Sequence, residues 1–172
     1  ALREQKCALP PFRRVSSNGK RFEVPKISVC IACGQPLDIR AHLAVSDLDK
    51  YQDREVVAAV TADAPLNNLP PLESVVAQWL SVGPVSLGEA LNAAALASRG
   101  AYLLFMDASF TELQPGLVES LVRDMDETGA VRFVPTAHRH GYILAMAKRD
   151  WIHLGGFSTG MSAIRPDLLI QD

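Results

Sequence analysis

The sequence predicts a three-layer α/β/α domain with a mostly parallel central sheet. Short apolar runs, "ISVCIAC", "REVVAAV" and "AYLLFMD", recur along the chain and are too continuous for strands with one wet face. Segments with helical spacing of apolar residues fall between them. Gly- and Pro-containing turns punctuate several of the changes. Strands alternating with helices in this way build a parallel sheet covered on both faces.

In chain order, "PFRRVSSNGKRFEVPK" is basic, polar and broken by Pro11, Gly19 and Pro25, so residues 1–25 read as an arm or linker ahead of a domain over 26–172. Ile27–Ala32, bounded by Pro25 and Gly34, reads as the first buried strand. "PLDIRAHLAVSDL" has near-helical spacing. Glu55–Val60 reads as the second strand, followed by the turn-rich "TADAPLNNLPP". "LESVVAQWL" reads as a helix behind Pro70 and Pro71. "SLGEALNAAALASRG" is a stronger helix, with Ser86 and Glu89 as a capping box and Gly100 as its stop through a left-handed conformation. Tyr102–Met106 reads as a third strand adjacent to the first two. "TELQPGLVESLVRDMDETG" holds a helix from about Pro115 to just before Gly129. "AVRFVP" and "GYILAMAK" read as closing strands.

Composition excludes several classes of protein. With 172 residues, 48% hydrophobic and 21% charged, the chain fits one globular domain. A formal net charge of -2 does not suggest a broad electrostatic grip on nucleic acid. No apolar run approaches the roughly 18 residues of a membrane span, and the N-terminus lacks the apolar core of a signal peptide. Three cysteines, an odd number, point to a reducing compartment and a cytoplasmic location. Beginning at Ala1, the chain reads as an excised or truncated piece.

Cys30 and Cys33 form a C-x-x-C, but on a strand rather than on the turn after one, and no second cysteine pair completes a zinc site. Buried packing is the expectation. His138 and His140 would share one face of an extended segment, yet no third ligand is evident nearby, and a polar loop accounts for them. No P-loop is present. Asp107 differs, because a carboxylate that ends a buried apolar strand must pair, cap or bind something. It also lies at the carboxyl end of its strand, where ligands of parallel α/β sheets sit.

The run "ALNAAALASRGAYLLFMDASF" resembles the central signature of family-2 glycosyltransferases, enzymes of the GT-A fold. There a helix of the form A-x-N-x(7)-G-x-Y leads into an apolar strand that ends in Asp-x-Asp. Ala90, Asn92, Gly100, Tyr102 and Asp107 fall at the matching places. "VPKISVCIAC", "YQDREVVAAV", "LQPGLVESLV" and "AKRDWIHLGGF" resemble further family segments in the correct order, so the likeness covers roughly residues 25–158. It implies an inverting transfer of sugar from a nucleotide-sugar donor to a glycan or other hydroxyl acceptor, in polysaccharide or glycoconjugate synthesis. A divalent Mg or Mn ion would serve as cofactor. Asp107 would hold the metal and the ribose, with Ser109 assisting. Asp63 would approach the nucleoside, Asn92 would lie on the donor side of its helix, and Asp167 or Asp172 would act as catalytic base.

The chain also departs from the family pattern. The metal motif reads Asp107-Ala108-Ser109, with serine in place of the second acid. The second strand ends in "AVTADAP", with Asp63 a few places late, and only Asp167 and Asp172 follow Gly-Gly-Phe. A hard cation prefers anionic oxygen ligands, so one missing carboxylate weakens its site. Two readings stand. One is a metal-dependent glycosyltransferase. The other is a non-catalytic GT-A-like domain that serves interaction or regulation, with another domain or protein as partner. A redox or zinc module built on Cys30 and Cys33 is a third, weaker alternative.

Overall fold

Seven consecutive residues, Ile27–Cys33, are buried and form the central strand of the sheet. The computed structural model describes residues 13–17, 24–34, 51–61, 78–107, 116–135 and 142–166. Within them the strands are β1 (Arg13–Ser17), β2 (Ile27–Cys33), β3 (Arg54–Val60), β4 (Gln78–Ser81), β5 (Tyr102–Asp107), β6 (Arg132–Pro135) and β7 (Tyr142–Ala147). Their spatial order is β1-β4-β3-β2-β5-β7-β6. Strands β4, β3, β2 and β5 are parallel neighbours. β7 runs against β5, and β6 runs against β7 and so regains the common direction. The sheet is mostly parallel, and the three strands expected to be adjacent are adjacent.

Each face of the sheet has its own core, because alternate side chains of a strand point to opposite sides. On one face Val29, Ile31, Val56, Ala58, Leu104 and Met106 meet helix α2 (Leu117–Thr128) through its Val118, Leu121, Val122 and Met125. That spacing is a single helical stripe. On the other face Cys30, Ala32, Val57, Ala59, Leu103 and Phe105 meet helix α1 (Leu87–Ala97) and Trp151 of helix α3 (Lys148–Leu154). The buried stretch of α1 from Gly88 to Ala95 covers more than one side of the helix, so α1 is a core helix rather than a surface one. Its alanines let it lie close over Ala32 and Ala59.

Three expectations change. Gln78–Leu80, read as the end of a helix, is strand β4. Trp79 packs into one core and Leu80 into the other, which a strand achieves and a one-sided amphipathic helix does not. Part of the N-terminal arm joins the sheet, since Arg13–Ser17 pairs antiparallel with β4 and covers its outer edge. The third change concerns Gly100. Helix α1 starts with the expected Ser86–Glu89 capping box but ends at Ser98, which is extended. Gly100 is absent from the glycines with positive φ, whereas Gly116, Gly129 and Gly155 belong to them. Space is the reason for glycine at 100. A Cβ there would lie 2.6 Å from Ser28 Oγ, 2.7 Å from Ser28 N and 2.8 Å from Ile27 C. The helix expected in "PLDIRAHLAVSDL", residues 62–71 of the turn-rich "TADAPLNNLPP" and residues 72–77 lie outside the described residues. Among the described residues, no helix is long and apolar enough to cross a membrane.

Gly100 and Gly129 therefore make opposite tests. Gly100→Ala is expected to destabilise by roughly 2–3 kcal/mol, because backbone atoms of β2 must move. Gly129→Ala has open space around it and meets only the left-handed strain of φ 65°, a cost of about 1 kcal/mol. Urea denaturation of both variants checks the order, and a larger loss at Gly129 would refute the packing account.

Candidate functional site

The chain passes from β2 to β3 and β4 on one side, then returns through α1 to place β5 on the other side of β2. The topology therefore reverses between β2 and β5. In open α/β sheets the crevice outside the carboxyl ends of strands at such a reversal is where ligands bind. Asp107 is the residue that ends β5 there. It is half-buried and lies in register with Ala32 of β2. Beside it the strand ends are tied together. Thr61 N donates to the Cys33 carbonyl at 2.9 Å, Thr61 Oγ1 donates to the same oxygen at 3.3 Å, and Val82 N donates to Val60 O at 3.1 Å.

Alternation along β5 puts Asp107 on the same face as Leu103 and Phe105, the face covered by α1. A wall is built on that face from the segment after α3. Gly155 and Gly156, both with positive φ, turn the chain out of α3 and deliver Phe157. The Phe157 ring meets Phe105 edge-to-face at 4.7 Å, and Phe105 also faces Trp151 at 6.3 Å. Asn92 fixes the backbone of the same residue. Its Nδ2 donates to Phe157 O at 2.9 Å, and Phe157 N donates to its Oδ1 at 2.8 Å. Asn92 was expected on the donor side of its helix. It does face this segment, but it is fully buried and engaged by the Phe157 backbone.

The first turn of α1 faces the same edge of the sheet, because α1 runs back against the strands. Three N–H groups at this helix start have partners. Glu89 N donates to Ser86 Oγ, Ser86 N to Glu89 Oε2, and Gly88 N to Met161 O.

Asp63, Ser109, Asp167 and Asp172, and also His138 and His140, lie outside the described residues. Among the described residues, no group of three or more His, Cys, Asp or Glu side chains could hold a metal ion. Gly88 and Phe157 are contributors that the sequence reading did not single out. A glycine inside the first turn of a helix with a complete capping box was the available signal, since glycine is a poor helix former.

Cys30 and Cys33 are buried, and they point into opposite cores. Burial pushes the Cys30 thiol far above its ordinary range, and the nearby Glu55 charge pushes the same way. At the opposite edge of the sheet, burial lowers the Lys148 amine, whose Nζ donates to Ser98 O and Oγ at the end of α1.

No family model matches the sequence, and no curated protein matches it. Solved structures do. The mannosyltransferase PcManGT from Pyrobaculum calidifontis, in complex with GDP-Man and Mn2+, is similar with a TM-score of 0.59 and 15% identity over 88% of this chain. S. aureus TarS is similar with a TM-score of 0.56 and 13% identity over 80% of this chain. The fold is the GT-A glycosyltransferase fold. On this GT-A frame the chain spans about half the length of either structure, 52% in both cases.

Neither thiol is expected to react while the GT-A domain is folded. Cys30 and Cys33 should be labelled by a maleimide at neutral pH only as fast as the protein unfolds, since the nucleophile is the thiolate. Fast labelling of either residue under native conditions would contradict their burial.

Proposed function

We propose that this chain is the nucleotide-sugar-binding part of a family-2-like inverting glycosyltransferase that serves polysaccharide or glycoconjugate synthesis. The observation that carries the reading is the position of Asp107, a carboxylate at the reversal point of a GT-A sheet.

A hard divalent cation such as Mg or Mn fits an oxygen donor of this kind, with diphosphate oxygens and water completing its shell. When bound, it neutralises the diphosphate and stabilises it as a leaving group. Asp107 would hold the ion and the ribose, the Ser109 hydroxyl would add a weak ligand, and Asp63 would contact the nucleoside. Asp167 or Asp172 would take the proton of the acceptor hydroxyl as its oxygen attacks the anomeric carbon. The sugar–phosphate bond then breaks and the nucleoside diphosphate departs. Attack from the face opposite the leaving group inverts the anomeric centre.

The second reading, a GT-A-like domain that binds a partner without catalysis, is favoured by one observation. Ala108 and Ser109 stand where a second metal-binding acid would, so the cation would lose an anionic ligand.

Calorimetric titration with UDP or GDP, with and without Mn2+, separates the two. For a working donor site Asp107→Ala abolishes metal-dependent binding while the melting temperature stays within a few degrees, and Ser109→Asp tightens metal binding by about tenfold. Wild-type protein that binds no nucleotide at millimolar concentration, with no gain in Ser109→Asp, would sink the transferase reading.

A further inference from the structure

Asn92 makes two hydrogen bonds across 65 positions of sequence, both to the backbone of one residue. An asparagine in mid-helix, fully buried, has a poor helix propensity and a costly amide to satisfy. Packing alone would place another alanine there, as at Ala93, Ala94 and Ala95. What the amide gains is a two-point hold on Phe157, donating to its carbonyl and accepting from its N–H. One turn earlier, Gly88 makes a second and independent contact with the same segment. Its N–H donates to Met161 O at 3.1 Å, and a Cβ at Gly88 would collide with Ser158 O and lie 2.9 Å from Met161 Cβ. Helix α1 thus grips Phe157–Met161 at both ends of its length. That segment lies on the α1-covered face of β5, where the Phe157 ring stacks edge-on against Phe105, two residues before Asp107.

We infer that Asn92 is a positioning residue of the site: through Phe157 it fixes the segment 157–161 as a wall beside Asp107, and does not itself touch a ligand. The inference rests on the donor-site reading above and deepens it. The chain of contact is Asn92 to Phe157 backbone, Phe157 ring to Phe105, and Phe105 along the same face to Asp107. The wall is held by direction-sensitive hydrogen bonds, so its backbone has one setting. The pair of left-handed glycines before it supplies the turn that the setting requires.

The test combines hydrogen exchange at the Phe157 amide with titration of UDP or GDP in the presence of Mn2+. Asn92→Ala removes both bonds. Asn92→Asp keeps an acceptor for the Phe157 N–H. Leu91→Ala loosens the same helix in the core without touching the hold, and serves as the stability control. Exchange at Phe157 is expected to rise about tenfold or more in Asn92→Ala, less in Asn92→Asp, and to keep its wild-type value in Leu91→Ala at matched stability. Nucleotide affinity should fall in the same order. Gly88→Ala, which pushes the segment from its other end, should weaken affinity too, and combine less than additively with Asn92→Ala. Unchanged Phe157 exchange in Asn92→Ala overturns the inference, as does an equal loss of affinity in Leu91→Ala. Should Asn92→Ala fail to fold, wild-type affinity in Gly88→Ala overturns it. Wild-type protein that binds neither nucleotide overturns the donor-site reading and this inference together, an outcome recognised from the wild-type titration alone.

Discussion

The Glu55 carboxylate is only 2% exposed, and the arrangement around it sets the register of the central strands. Ser28 Oγ donates to it at 2.7 Å, the Arg99 backbone N–H donates to the same oxygen, and Arg99 Nε donates to the other at 3.1 Å. Ser28 Oγ in turn accepts the Gly100 N–H at 2.8 Å. A buried charge left without these partners would cost several kcal/mol, so the network admits few alternatives. It pins the exit of α1 against β2 and β3 immediately before β5 begins. With Gly100 seated on Ser28, Tyr102 pairs with Ile27 and the register runs on to Asp107 opposite Ala32. A slip of one residue would turn every β5 side chain to the wrong face. The acid at the site is therefore placed by a network at the far edge of the sheet.

Burial on both faces is the second constraint. Strands β2, β3 and β5 present apolar side chains to two separate cores, which forces a helix layer on each side. The layers differ in kind. Helix α2 is a one-sided amphipath whose exposed surface meets water, and its far end is tied down where Tyr102 and Lys26 both reach Asp126. The Lys26 ion pair and the Tyr102 hydrogen bond hold the Asp126 carboxyl below its usual range. Helix α1 is alanine-rich and buried, and it sits close enough to the sheet for its one buried amide to reach another segment. The face that bears Asp107 is the face with the more specific packing, through Asn92, Gly88, Phe105, Trp151 and Phe157.

That asymmetry gives the crevice its chemical character. A helix N-terminus is the usual neutral device for holding phosphate, and here three of the N–H groups at that start are engaged, by the capping box and by Met161. What the fold offers at the reversal point is a carboxylate, tied strand ends and a fixed wall.

Local pattern was enough for strands over Ile27–Ala32, Glu55–Val60 and Tyr102–Met106, each of which the structure extends by one residue, for the capping box at Ser86, for a helix that ends just before Gly129, and for Asp107 at a strand's carboxyl end. These features depend on residues within a few positions of one another, so a linear reading contains them. Tertiary structure decided the rest. Trp79 and Leu80 became a strand because two cores lay on either side of them, a fact that short apolar runs do not carry. Arg13–Ser17 joined the sheet because β4 offered an unpaired edge. Gly100 is glycine because β2 passes within van der Waals distance of it, and Asn92 is asparagine because Phe157, 65 positions away, presents a buried N–H and C=O. Each of those outcomes depends on which distant atoms arrive at a given point, and sequence spacing does not encode that.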